Sequence, residues 1–369
     1  MRYRFLYALL PVICSVEAFA ADTLVCKVNR ASNWAFYGSD KPAAQVSLVN
    51  MRRVQKGYDL KCEIRDFRNR SLYELGQSGI VPPADSTVLL FTFKTVAPGF
   101  YDMSLFNEGR FMERTVIAYE PEKITDTVGG NEDFLMFAHK VALERREIRP
   151  QYVMMRNKEM SGREKNVYDF TMVSRGDERV NGYIAFPKGK SGLKAMVTLV
   201  QQESAQMNPL ADFTAPQDFV EMVIYLKNHG EGVDIMRNYL TDMLLAIDFL
   251  LQREEVDKSA IYVQGSDYAG ACAFIASAMT DDVAGGIASS PDFSILTDMY
   301  SGSSIAGKVS APVLMGVGLQ SDADYLQEVF SIFNSVKGVK EYFASPEGEE
   351  IERNRWKYIK DIFIKRISE

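Results

Sequence analysis

Between residues 24 and 119 apolar side chains recur at every second position. Leu24, Cys26 and Val28 alternate with polar neighbours, as do Tyr58, Leu60, Cys62 and Ile64, and the runs at 88–93, 99–105 and 115–119 are also strand-like. A period of two sends successive side chains to opposite faces of a strand, so each run offers one apolar face to a core. Turn signals such as Val81-Pro82-Pro83 and Ala97-Pro98-Gly99 separate the runs. About 100 residues of short strands broken by such turns predict a small all-β, immunoglobulin-like sandwich.

The period then changes. Phe134, Phe137, Ala138, Val141 and Ala142, preceded by Asn131-Glu132-Asp133, have the spacing and the cap of an amphipathic helix. From residue 167 onward, apolar runs of strand length at 168–173, 180–186, 195–200, 220–226, 260–263, 286–288 and 313–317 alternate with helical patterns at 239–251, 270–279, 325–334 and 351–367. Strands interleaved with helices predict an α/β fold, a mostly parallel sheet covered on both faces. The expected organisation is a leader over 1–20, the β-sandwich over 21–120, a helical linker over 121–165 and the α/β domain over 166–369.

The leader follows its own logic. Arg2 and Arg4 precede an apolar run over 5–16, which ends in Ala18-Phe19-Ala20, the layout of a secretory signal peptide cleaved after Ala20. That run is too short for a comfortable bilayer span, and no later stretch reaches the roughly 18 apolar residues a span requires. The expectation is an exported chain, periplasmic or extracellular, with no membrane span. Cys14 leaves lipid anchoring as a lesser alternative, because the Ile13 before it is bulkier than lipoprotein signals carry.

The formal net charge of -7 comes without a basic cluster, which argues against a nucleic-acid or anionic-membrane surface. Beyond the leader the cysteines are Cys26, Cys62 and Cys272, with neither a CxxC pair nor a Cys/His metal spacing, so no metal or cofactor is expected. Cys26 and Cys62 each share the apolar face of their strand. A disulfide across the sandwich and two buried thiols are both open readings.

The informative motif is Gln264-Gly265-Ser266-Asp267-Tyr268-Ala269-Gly270, where the strand at 260–263 meets the next helix. A nucleophile elbow needs small residues two before and two after the residue on its turn. Centring on Asp267 puts Gly265 and Ala269 there, whereas centring on Ser266 puts Gln264 and Tyr268 there. Asp267 therefore occupies the turn. It stands there either for chemistry or because aspartate tolerates left-handed backbone better than most residues.

Further motifs flank the elbow. They are Pro98-Gly99-Phe100-Tyr101, Asn131-Glu132-Asp133-Phe134, Val180-Asn181-Gly182-Tyr183-Ile184-Ala185-Phe186-Pro187, Asn238-Tyr239-Leu240-Thr241-Asp242 and Ala311-Pro312-Val313-Leu314-Met315-Gly316-Val317-Gly318-Leu319-Gln320. Together they resemble, over nearly the whole mature chain, the acetyl xylan esterases and cephalosporin-C deacetylases, in the secreted form that carries an N-terminal β-sandwich. The resemblance implies an α/β-hydrolase fold over 166–369 and a Ser, Asp, His triad.

Carried over by position, the serine falls on Asp267. The acid, directly after Gly318-Leu319-Gln320, falls on Ser321 with Asp322 next, and the histidine falls on Glu349 in Ser345-Pro346-Glu347-Gly348-Glu349. Gln201-Gln202-Glu203-Ser204 replaces the glycine-rich oxyanion segment.

The chain has two histidines. His139 lies in the linker helix, and His229 follows a strand at the end of the sheet where sites form, at a position where the resemblance implies an arginine. Acyl transfer by a hydroxyl needs a base near neutral pKa, usually histidine. Two functions remain. One is a non-catalytic pseudo-esterase that binds a polysaccharide or another exported protein. The other is a carboxylic-ester hydrolase of altered chemistry, in which Asp267 attacks as a carboxylate and Glu349 activates water. Convergence of Asp267, Asp322, Asp324 and Glu349 on calcium is a third arrangement.

Overall fold

The structure, a computed structural model, describes residues 24–29, 34–94, 97–125, 130, 133–149, 151–201, 214–227, 231–346, 348 and 351–368. The expected leader lies outside these residues. The first strands are β1 (Leu24–Val28), β2 (Ala35–Phe36), β3 (Ala43–Asn50), β4 (Lys56–Asp66), β5 (Ser71–Val81), β6 (Ser86–Thr92), β7 (Gly99–Asn107) and β8 (Arg110–Tyr119). They form a three-stranded antiparallel sheet in the order β1-β3-β6 and a five-stranded sheet in the order β2-β8-β7-β4-β5, where only the β2/β8 pair is parallel.

Alternate residues of the two sheets meet in one core. Leu24, Cys26, Val46, Leu48 and Phe91 from the first pack with Leu60, Cys62, Ile64, Met103 and Leu105 from the second. Two sheets packed through one apolar face each make a small sandwich.

The remaining elements are α1 (Phe134–Glu147), β9 (Tyr152–Asn157), β10 (Lys165–Val173), β11 (Arg179–Pro187), β12 (Leu193–Gln201), β13 (Val220–Leu226), α2 (Val233–Leu251), β14 (Val256–Ser266), α3 (Asp267–Met279), β15 (Gly285–Pro291), α4 (Ser294–Thr297), α5 (Gly302–Ala306), β16 (Val313–Gly318), α6 (Ala323–Ser335), β17 (Lys340–Ser345) and α7 (Arg353–Ile367). Asp133 caps α1 by accepting from Leu135 N at 2.9 Å.

The nine strands form one sheet in the order β17-β16-β15-β14-β12-β13-β11-β10-β9. It is parallel from β17 to β13, and β11 pairs antiparallel with both its neighbours. Successive strand residues point to opposite faces, and both faces are covered. Val197, Val263 and Val313 pack with α2, α3 and α6, while Met196, Tyr262 and Leu314 pack with Phe363 and Ile364 of α7. That double cover explains the unbroken apolar runs in these strands.

The segment expected as a helical linker, 121–165, departs from that expectation. It contains α1, but it also contains β9, which pairs with β10 and extends the large sheet. Tyr152 and Met154 pack on the core, whereas Val153 and Met155 are exposed. With apolar residues on both faces of an edge strand, no alternation marks it in the sequence. No helix among the described residues is long and apolar enough to cross a membrane.

The small sandwich and the large sheet are joined through α6 and the loop before it. Phe100 packs on Phe330 with ring centroids 5.0 Å apart, and Phe100 N donates to Oε1 of the buried Gln327 at 3.1 Å. Arg114 pairs with Asp102 at 2.5 Å and with Asp322 at 3.0 Å. A strand of the sandwich thereby reaches the loop that follows β16.

Helix α2 buries a carboxyl group. Asp242 accepts a short hydrogen bond from the Ser174 hydroxyl, and burial, only partly offset by that bond and by Lys227, pushes its pKa up to about 7. Between about pH 4 and pH 7 the folded state keeps a proton that the unfolded chain has released, so Asp242 lowers stability as pH rises through that window. The total is up to roughly 4 kcal/mol, from about 1.4 kcal/mol per pH unit. Chemical denaturation across pH should show Asp242→Asn more stable than the parent at pH 8, with the difference closing towards pH 4. Parallel pH profiles would contradict this.

The structure places both Cys26 and Cys62 in the sandwich core. They lie on the two facing sheets of the sandwich, on β1 and β4, in one shared core, and are buried thiols there, as Cys272 is in α3. Burial pushes the Cys62 thiol up to about 12. Alkylation under denaturing, non-reducing conditions should label Cys26, Cys62 and Cys272, and reductant should leave the unfolding midpoint unchanged. A bridged pair would instead lose roughly 2–4 kcal/mol on reduction.

Candidate functional site

The site is built where β14 turns into α3. Ser266 is extended, with φ -125°, and Asp267 is left-handed, with φ 54°. The reversal is tight: a Cβ on Gly265 would sit 2.5 Å from the carbonyl carbon and oxygen of Ala269, and one on Gly270 would sit 3.2 Å from the carbonyl oxygens of Gly265 and Ser289. Asp267 also bridges to Pro291 at the end of β15, and its carbonyl accepts from Asp292 N at 3.0 Å. The turn is thus clamped on two sides. It leaves the side chains of Ser266 and Asp267 exposed.

Among the described residues, these two side chains share a cleft of about 310 Å³ with Thr198, Leu199, Val200 and Gln201 of β12, with Thr214, Gln264, Gly265, Ile287 and Ser289, and with Arg353, Trp356 and Lys360 of α7. The floor is polar and closely bonded. Lys360, 5% exposed, donates from Nζ to Gln264 Oε1 at 2.6 Å and to Thr214 Oγ1 at 3.2 Å. Gln264 Nε2 donates to Thr198 Oγ1 and Thr214 Oγ1, both at 2.7 Å. The buried Glu221 of β13 accepts from Ala215 N at 2.7 Å and from Thr214 N at 2.5 Å.

Desolvation lowers the Lys360 ammonium to about 8, against the upward pull of Glu221 and Asp361. Burial likewise raises Glu221, with the two backbone donors, Lys165 and Lys360 opposing it. Trp356 roofs Gly316, where a Cβ would meet its ring at 2.6 Å, and this close approach fixes α7 over the ends of β15 and β16. On the other side of the turn, burial raises the Tyr325 phenol of α6, and the charges of Asp292 and Asp267 push the same way. Its hydroxyl is buried, with Ser290 close but outside hydrogen-bond geometry.

The other positions singled out in the sequence are placed as follows. Ser321 follows β16 and donates from its backbone to Gly318 O at 3.3 Å. Asp322 precedes α6 and faces Arg114 rather than the cleft. Asp324 accepts from Tyr325 N. Leu319 N donates to Ser345 O at 2.8 Å, Gln320 N to Gly348 O at 3.1 Å and Gln320 Nε2 to Pro346 O at 2.8 Å, so the loops after β16 and β17 lie side by side.

Glu349 and His229 lie outside the described residues, as do residues 202–204 of the expected oxyanion segment. His139 is exposed on α1 and does not line the cleft. Among the described residues no group of three His, Cys, Asp or Glu side chains could hold a metal ion.

Strand order decides the architecture. Counted from β10, the sheet runs first strand, antiparallel second, fourth, third and then four parallel neighbours, with the strained turn after the fifth strand. The fold is that of the α/β hydrolases.

Solved structures agree. An acetyl xylan esterase from Paenibacillus sp. R4 superposes with a TM-score of 0.59 at 16% identity, over 67% of this chain and 98% of its own. Acetyl xylan esterase 1 from Thermoanaerobacterium sp. JW/SL YS485 gives 0.57 at 15% identity, over 67% and 97%. The superposed part, 67% of this chain, is smaller than the nearly whole stretch beyond residue 20 over which the resemblance was expected to run. No protein-family model and no curated relative matches the chain.

Within this hydrolase fold the sequence pointed to Asp267 but not to Lys360, Gln264, Thr198 or Trp356. α7 is rich in Lys and Arg, and nothing in its spacing marks Lys360 as the buried one.

Two substitutions test the turn. Asp267→Gly removes the cost of a left-handed Cβ and should stabilise the protein by about 1 kcal/mol, whereas Gly265→Ala should destabilise it by roughly 2 kcal/mol or more, because backbone must move. Denaturant melts that rank the two the other way would contradict the geometry.

Proposed function

We propose that this chain is an exported relative of the acetyl xylan esterases that has lost ester hydrolysis and uses the cleft beside the elbow to bind a polysaccharide or another exported protein. The observation that carries the proposal is the residue on the turn. The strained backbone that presents a nucleophilic hydroxyl in an active hydrolase presents a carboxylate here. The hydroxyl one position earlier, on Ser266, sits on extended backbone, and no histidine is among the described residues of the cleft. A hydroxyl without a base stays protonated at neutral pH and attacks an ester poorly. Export rests on the charged and apolar pattern of residues 1–20.

A second reading is supported by the exposure of Asp267 on the cleft, where a carboxylate could attack an acyl carbon directly. The purified mature protein should release no acetate above the blank from acetylated xylan or from aryl acetates. Turnover in the parent that disappears in Asp267→Asn would overturn the non-catalytic proposal in favour of the altered hydrolase.

A further inference from the structure

We infer that the floor of the elbow cleft is a site for a carboxylate-bearing ligand, an acidic sugar in particular, with Lys360 as the counter-ion and the Thr198 and Thr214 hydroxyls as additional donors. This deepens the binding role proposed above and rests on it. Lys360 is 5% exposed, and its Nζ contacts are two neutral oxygens, those of Gln264 and Thr214. A buried ammonium is normally paired with a charge or gives up its proton. Glu221 acts on it through space but not as a contact partner of Nζ, and its Oε1 accepts from Thr214 N and Ala215 N.

Donors are in excess at the same place. The Gln264 amide spends both its hydrogens on the Thr198 and Thr214 oxygens, and Lys360 adds a second donor to Thr214. With their oxygens accepting, the two hydroxyls have hydrogens left to give, and Lys360 has one N–H beyond its two bonds. Thr198 is 8% exposed and Gln264 5%, so these are buried groups lining a cleft rather than solvated surface.

The charges facing Lys360 set the kind of anion. Glu221 lies on β13, with Lys165 of β10 acting on it. Asp361, Lys357 and Arg353 belong to α7, and Asp267 lines the same cleft. With Asp267 already present, a monoanion fits better than a dianion such as phosphate. Trp356 supplies the apolar wall, half-buried on the cleft, against which the face of a sugar ring can lie. Binding keeps Lys360 protonated, so affinity must fall as pH rises past the range in which the free ammonium loses its proton.

Calorimetric titration with D-glucuronate, and with D-glucose as its neutral counterpart, tests the inference. Glucuronate should bind at least tenfold more tightly than glucose at pH 6.5, and its affinity should weaken by up to tenfold per pH unit above about pH 8. Lys360→Met should abolish the preference. Because that variant strands Gln264 Oε1 and could fail to fold, the pH profile of the parent protein stands as a separate readout. Equal binding of the two sugars, binding of neither, or an affinity for glucuronate that is flat from pH 7 to 9.5 would overturn the inference. Failure of the non-catalytic reading would show differently, as acetate release that depends on Asp267.

Discussion

Everything at the candidate site depends on how closely two stretches of backbone approach at the elbow. Gly265 lies against the carbonyl of Ala269 because it has no Cβ, and that contact lets β14 reverse into α3 within one left-handed residue, Asp267. A looser turn would move the start of α3 and the bridge from Asp267 to Pro291, and with them the spacing between β14 and β15 at the end of the sheet. The backbone cost is that of a catalytic elbow. The side chain it displays is a carboxylate.

Beneath the turn, the protein keeps two opposite charges buried and apart. Glu221 and Lys360 are not in direct contact. Thr214 stands between them, donating its backbone N–H to Glu221 and accepting at its hydroxyl from Lys360. Burying two ions separately is costly compared with an apolar floor of the same volume. Such an arrangement is hard to account for as packing alone and is accounted for by a ligand that completes it. Arg114 plays a different part, tying the loop after β16 to β8 through Asp322 and Asp102. It gives the small sandwich a mechanical hold on the loop after β16.

Much of the fold was legible because burial is written into periodicity. Strands of the large sheet with helices on both faces read as continuous apolar runs, and β1, β4, β6, β7 and β8 of the sandwich read as strand-like, whereas β2, β3 and β5 were not read as strands. β9 was not legible, since an edge strand carrying Val153 and Met155 outward and Tyr152 and Met154 inward shows no alternation. The starts of α2 and α3 lie earlier than the periodicity predicts, because each helix begins with residues whose pattern belongs to the preceding turn, at Val233 and Asp267, while their last residues, Leu251 and Met279, agree with it. The elbow was legible from the sizes of its flanking residues, a purely steric signal. The floor was not, because the burial of Lys360 depends on α7 packing against β14, a long-range contact that no local spacing encodes. Asp322 read as a site carboxylate, and only the tertiary structure shows it turned to Arg114.

Binding and turnover can be followed together in one sample by NMR of the parent protein mixed with an O-acetylated glucuronic acid. The ligand resonances should broaden, reporting exchange with the cleft, while the ester acetyl signal decays no faster than in the protein-free control. Free acetate that accumulates in proportion to protein and vanishes with Asp267→Asn, or ligand signals that stay sharp at every protein concentration, would contradict it.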